Sequence, residues 1–282
     1  MKISFSNGEI SAVADTLGAE LVSVEAGGRE WLWQNESGEW CGHAPVLFPV
    51  CGKCAVQIGG KNYPLERHGF ARECEFTLKR RSKSSLCFEL RSSPRTRQIF
   101  PNDFVLRVRY TLLERRLRIG YEIHNPAGEP LYCSCGGHES FSLAKPLKNY
   151  SIRFSRPEKF EAHLHDDEGL LSGDTSDMGG GKLLPLDEEF LKDGNTLILS
   201  KLRSRRLWLC EGKREIAQIS FPGFSNLLFW RPGNAQMICI EPWHNLPDRA
   251  GEPTAEFSRR EGVFCIPPHA TKKFVREIEY IK

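Results

Sequence analysis

The sequence predicts an all-β protein, folded as a sandwich or a barrel. Three observations carry this. Strand-like runs with a two-residue apolar period recur along nearly the whole chain. Clusters of Gly, Pro, Asn and Asp separate them. No segment shows a long, capped 3.6-residue period, so helices do not alternate with strands as a parallel α/β sheet requires.

Ile3 to Val13 reads as a hairpin. Asn7-Gly8 between the two arms supplies the positive φ angles of a tight two-residue turn. A second hairpin is expected through Ile58-Gly59-Gly60-Lys61. Runs Glu73–Lys79 and Leu86–Arg91 follow. Phe104, Leu106, Val108 and Tyr110 then alternate with Arg107 and Arg109. After a turn at Glu114-Arg115-Arg116, Leu117, Ile119, Tyr121 and Ile123 alternate with Arg118 and Glu122. This is a two-stranded meander with one dry and one wet face. Later runs are Ser151–Phe154, Thr196–Leu199, Arg206–Cys210, Ile216–Phe221, Leu227–Trp230, Met237–Ile240, Gly262–Ile266 and Phe274–Ile281. The stretch from His163 to Asn195 is polar, rich in Asp and Glu, and holds Gly179-Gly180-Gly181. It reads as a long surface loop with a helical turn or two, not as a linker, because strands of the same character continue on both sides. The expectation is one domain over residues 1–282.

Composition narrows the class. With 40% hydrophobic and 27% charged residues in 282, the chain can bury a substantial core and is not disordered. A net charge of +3 is too balanced to point to nucleic acid. No run approaches the eighteen or so apolar residues of a membrane span, and Met1–Ile10 lacks a signal peptide's apolar stretch. The ten cysteines then read as reduced thiols of a cytoplasmic protein. In Leu86-Cys87-Phe88 and Val263-Phe264-Cys265-Ile266 they read as small hydrophobes inside strands. Cys51-Gly-Lys-Cys54 has zinc-ribbon spacing but lacks its second pair, and His163-Leu-His165 is a single cluster in a polar stretch. There is no P-loop and no Gly-x-Ser-x-Gly elbow.

Three places set ionisable residues among apolar ones. Arg67-His68-Gly69-Phe70-Ala71-Arg72 follows the apolar stretch Ala44–Val50, and Gly69 lets a backbone or a ligand approach closely. Cys135-Gly136-Gly137-His138 ends a strand-like run in an imidazole, the side chain suited to proton transfer near neutral pH. Cys239-Ile240-Glu241-Pro242-Trp243 puts a carboxylate at the end of a buried strand, beside an aromatic face on which a sugar can stack. Each has an ordinary alternative: a loop histidine on a carbonyl, a turn histidine on Glu139, an edge glutamate on a surface arginine. Taken together, two histidines and a glutamate on separate strands can converge in one cleft as acid, base and orienter.

These blocks resemble the aldose 1-epimerase (galactose mutarotase) family. Ala44-Pro-Val-Leu-Phe-Pro49, His68-Gly-Phe-Ala-Arg72, Gly137-His138 with Phe141, and Glu241-Pro-Trp243 follow in the family's order and at similar spacing, from about Leu17 to the C-terminus. The nearest branch is one of bacterial sugar epimerase-like proteins. The resemblance implies a large antiparallel β-sandwich of galactose mutarotase type, with few short helices and the site on a concave sheet. It implies Glu241 as general base, His138 as general acid and His68 as the histidine assisting at the ring oxygen. It places Arg72, Asn195, Trp230 and Trp243 against a small-molecule sugar. The reaction it implies exchanges the α and β anomers of a free hexose by ring opening and reclosure, and needs no cofactor and no metal. The chain departs from the pattern at Asn195, where relatives carry an acid, and at Gly42 before His43. It departs again at Gly52-Lys53, where Gly-Arg is frequent, and at Glu139, where proline is frequent. Two other readings are a phosphorylated hexose, held by Lys53, Arg72 and Arg231, and a carbohydrate-binding protein without turnover. The sequence sets no oligomeric state.

Overall fold

A computed structural model describes residues 1–63 and 65–281. The expected all-β architecture is present. The main sheet has fifteen antiparallel strands and is flanked by a four-stranded sheet and two small ribbons. The four-stranded sheet joins Lys2–Ser6, Ile10–Asp15, Leu21–Ala26 and Arg29–Glu30. Among the described residues the one α-helix is Pro94–Ile99, started by a Ser93 cap and a proline in its first turn.

Alternation builds the core. In Val105–Leu113 and Arg116–His124, paired Val108 to Tyr121, the residues Leu106, Val108, Tyr110, Leu112, Leu117, Ile119, Tyr121 and Ile123 are buried. Glu114, at φ +52°, closes the turn between them. Phe48, Phe70, Phe100 and Phe104 pack with ring centroids 5.0–6.4 Å apart behind the segment that carries His68.

Four expectations need correction. The first hairpin forms, with Ser6 opposite Ser11, but its turn is centred one residue later. The Asn7 N–H donates to the Ile10 carbonyl, only Gly8 takes a positive φ, and the Asn7 carboxamide accepts from Glu9 and Ile10 instead. The stretch expected as a loop from His163 is largely a long hairpin. Tyr150–His165 pairs with Leu171–Pro185 through several register shifts, and only Glu189–Gly194 is a short 3₁₀ turn. Leu171–Pro185 is mostly exposed, so its ladder forms without an apolar alternation to announce it. Cys265 is exposed, whereas Cys87 is buried as expected. Phe264–Ile266 pairs only with Leu131–Cys133, in a two-stranded ribbon with little to bury it. The fourth concerns Asn195 and belongs with the site.

Candidate active site

The site lies toward one end of the main sheet, where Met237–Trp243 stands third in the strand order. Met237–Trp243 pairs with Glu139–Ser142 on one side and with Asn226–Trp230 on the other. Its two-residue period puts Cys239, Glu241 and Trp243 on one face. Glu139 is opposite Ile240 and Gly136 opposite Trp243, so the backbone carrying His138 runs beside the backbone carrying Glu241. His138 Nε2 sits 3.3 Å from Glu241 Oε2. Both side chains are buried, Glu241 at 1% exposure.

His68 comes from the far wall. Its backbone is at φ +72°, followed by Gly69 at φ +74°. A Cβ on Gly69 would meet the Phe48 carbonyl, so the close approach expected of this glycine is a backbone one. The Gly52 N–H donates to His68 Nδ1 at 3.1 Å, which leaves the Nε2 side to carry the ring's proton. The two histidine rings meet edge to face at 5.3 Å, and His68 packs edge-on against Trp243 at 5.2 Å. Trp40 stacks on His138 at 5.2 Å. These groups line a cleft of about 220 Å³, together with Arg72, Trp230, Lys53 and Arg67.

Electrostatics follow from burial. Desolvation, then the negative charge of Glu139, pushes the Glu241 carboxyl well above the usual carboxylate range. Burial pulls His138 down to about 3. Burial, then His138, Arg72 and Arg67, pulls His68 well below 6.5. Burial thus favours the neutral form of both groups, a carboxyl facing an imidazole. Such a pair carries one transferable proton, which is what an acid–base exchange at two neighbouring oxygens needs. Buried polar atoms without partners are rare. Here His138 Nδ1, Trp243 Nε1 and Arg72 Nε belong to residues lining one cleft, and Glu241 Oε2 has the 3.3 Å His138 Nε2 contact but no formed hydrogen bond. That suits a ligand rich in hydroxyls, which donate and accept.

His138, Cys239 and Glu241 offer N, S and O atoms within 4.8 Å of one another. A metal fits them poorly. Cys239 has no exposed surface and Glu241 almost none, so an ion would have no open path to the three donors. The Cys51/Cys54 pair serves the fold: the Asn245 carboxamide donates to Cys54 Sγ and to the Cys51 carbonyl. His163 and His165 diverge. His163 Nε2 contacts Ser200 Oγ at 2.6 Å, while His165 joins the cleft lining.

Six of the seven residues expected at the site line the cleft: Glu241, His138, His68, Arg72, Trp230 and Trp243. Asn195 does not. Its Nδ2 donates to the Phe190 carbonyl and closes the Glu189–Gly194 turn, so the neighbouring Thr196 reaches the cleft in its place. Of the three cations considered for a phosphate, Lys53 and Arg72 line the cleft and Arg231 does not; Arg67 does. Lys53 is paired with Glu168, whose carbonyl also accepts from Arg67. Trp40, Arg67, His165 and Thr196 went unanticipated. Arg67 adjoins a recognisable block, but Trp40 lies in a polar segment with no signal of its own.

The paired imidazole and carboxyl and the aromatic walls sit together on the main antiparallel sheet. The aldose 1-epimerase family pattern matches residues 1–259, and the chain belongs to that family. Protein LacX (chromosomal) of Lactococcus lactis is 28% identical over 294 residues, covering 97% of each chain. The structure of a galactose mutarotase related enzyme from Lactobacillus acidophilus superposes with a TM-score of 0.92 at 26% identity, covering 100% of this chain and 98% of that one. A galactose mutarotase-like protein from Lactobacillus casei gives 0.92 at 27% identity, with both chains covered in full.

Proposed function

We propose that this protein is an aldose 1-epimerase acting on the anomers of a free hexose. The observation that carries the reading is the buried His138–Glu241 contact at 3.3 Å on the cleft floor. Moving the pair's proton across that contact gives a carboxylate and an imidazolium. Hydroxyls of a bound sugar hydrogen-bond both ions and favour that form. Glu241 then takes the proton of the C1 hydroxyl while His138 gives one to the ring oxygen, and the ring C1–O bond opens to the aldehyde. His68 steadies the ring oxygen through its Nε2–H. Rotation about C1–C2 presents the other carbonyl face. The steps then run in reverse: the ring oxygen returns its proton to His138 as it closes on C1, and Glu241 reprotonates O1. Protons balance over the cycle, and neither a metal nor a cofactor is required. Trp243 and Trp230 offer apolar faces to the sugar ring, and Arg72 a donor to a hydroxyl. The ten cysteines, all free thiols, support a cytoplasmic setting.

A second reading has a specific observation in its favour. Lys53, Arg67 and Arg72 line the same cleft, so a hexose bearing a phosphate would meet cations there. One experiment addresses both. Polarimetry follows mutarotation of fresh α-glucose, α-galactose and their 6-phosphates, with wild type and Glu241→Gln. Wild type is expected to accelerate at least one sugar, and the variant to lose about 10²–10⁴-fold in rate. Acceleration confined to the phosphates selects the second reading. No acceleration of any of the four overturns both and leaves a non-catalytic binder.

A further inference from the structure

The proton exchange uses His138 and Glu241 but leaves unused a buried ion pair beside them. Arg276 has no exposed surface, although it lies in the strand Thr271–Tyr280, which is far from the His138 segment in the strand order of the sheet. Its guanidinium crosses the core and grips Glu139 with two nitrogens, Nη1 to Oε2 and Nη2 to Oε1 at 2.6 Å. Nη2 also donates to the Tyr121 hydroxyl. Glu139 is itself 4% exposed.

Such a pair is weak evidence for stability. Desolvating both charges is expensive, and apolar replacements of similar size are often as stable. Its placement suggests another use. Glu139 follows His138 in sequence and is paired across the ladder with Ile240, the residue before Glu241. A fork-to-fork contact fixes direction as well as distance. The guanidinium lies directly against Gly137, where any Cβ would overlap it, so the segment before His138 is pressed on the same anchor.

We propose that Glu139 and Arg276 are positioning residues of the epimerase reaction, their ion pair holding the Gly137–Glu139 backbone so that His138 stays in register with Glu241. The inference rests on the epimerase reading above. The charged and titratable groups around Glu241 are His138 and Glu139 from the neighbouring strand, Cys239 on its own strand, Arg276 behind, and His68 and Arg72 across the cleft. Among them Glu139 contributes to the high proton affinity of Glu241, second to burial.

The test compares wild type, Glu139→Gln/Arg276→Met and Arg276→Lys on whichever sugar wild type turns over. The double variant leaves no unpaired buried charge, which a single one would. Expected is a kcat lower by about tenfold to a hundredfold, a KM within about twofold of wild type, and an alkaline limb of the kcat profile moved to lower pH. Arg276→Lys keeps the charge but not the fork. It is expected to fold, to keep the KM, and to lose kcat by a smaller factor, and it carries the test if the double variant does not fold. Wild-type kcat in either folded variant overturns the proposal. A rise in KM matching the fall in kcat/KM overturns it too, since that marks general damage to the cleft. Should wild type turn over no sugar, the functional reading has failed and the kinetic consequence proposed here falls with it, while the holding of His138 by the ion pair is tested separately. The positioning is then read from the His138 imidazole resonances of ¹³C-histidine-labelled protein, expected to shift in both variants and, if unmoved, refuting it.

Discussion

A carboxyl at 1% exposure does not behave like one in water, and Glu241 makes this concrete. Burial and the nearby Glu139 charge raise its proton affinity, while burial lowers that of His138 to about 3. The pair therefore keeps its single proton over a wide interval. Below about pH 3, His138 takes a second proton and the pair loses its acceptor. Above the raised pKa of Glu241, the pair loses its donor. The rate is expected to stay level through pH 4.5–6.5, where an ordinary glutamate and histidine would each titrate, and to fall only on the alkaline side. A kcat/KM profile centred on that interval with two ordinary limbs would refute this assignment. The same shift affects stability. A pKa raised in the folded state means the folded state binds more protons, so this group's contribution falls as pH rises above 4.5. Glu241→Gln removes that loss and is expected to melt higher than wild type at pH 8 while losing turnover. His138, Glu241 and His68 were legible in the sequence because each is an ionisable residue inside an apolar or glycine-rich block. Asn195 misled because its family position was read without its local partner, the Phe190 carbonyl.

At the scale of elements, the strands that hold the site were visible wherever one face is buried, since alternation is then obligatory. Leu171–Pro185 was not, because its partner supplies hydrogen bonds on one edge and almost nothing covers its faces. Turn chemistry also outran the pattern: Asn7-Gly8 marked the hairpin but not which residues sit at its centre. Glycines offer a sharper test of what an element does. Gly8 has φ +97° and nothing within 4 Å of a Cβ, whereas Gly69 has φ +74° with the Phe48 carbonyl in the way. Gly8→Ala should therefore cost only the backbone term, about 1–2 kcal/mol, with turnover unchanged. Gly69→Ala meets the same term and a clash with a buried carbonyl. It should cost about 2–3 kcal/mol and lower kcat as well, because His68 is the preceding residue. Urea titration with parallel polarimetry checks both. Equal effects of the two variants on activity would show that the Phe48–Gly69 contact does not position His68.

For the molecule as a whole, the buried histidines set how it meets acid. His244 is remote in role from the proton exchange. Its ring packs between Phe224 at 4.2 Å and Phe274 at 4.3 Å, and its Nδ1–H donates to the Cys135 carbonyl. Burial lowers it to about 4, as burial lowers His138 to about 3 and His68 well below 6.5. A histidine in the unfolded chain gains its proton near pH 6.5, while the folded protein withholds it. The unfolded state therefore binds more protons, and stability falls as pH drops below 6.5 until each folded pKa is reached. Each such histidine contributes a slope of about 1.4 kcal/mol per pH unit, three acting together about 4 kcal/mol per unit, and Glu241, protonated when folded and ionised when unfolded, offsets about 1.4 of it. Carboxylates held low by their partners, such as Asp103 beside Ser92 and Arg97, add their own loss only in stronger acid. Acid unfolding should thus begin between pH 6 and 5, before the carboxylates held low by their partners titrate. His244→Gln keeps a donor for the Cys135 carbonyl and removes one titrating group, so its unfolding free energy should fall less steeply by about 1.4 kcal/mol per pH unit between 6 and 4.5. Urea titrations of both proteins at pH 7.5, 6.0 and 5.0 measure the difference. Parallel slopes would mean that His244 takes up its proton within the folded aromatic pocket, and the histidine account of acid sensitivity would have to rest on the cleft alone.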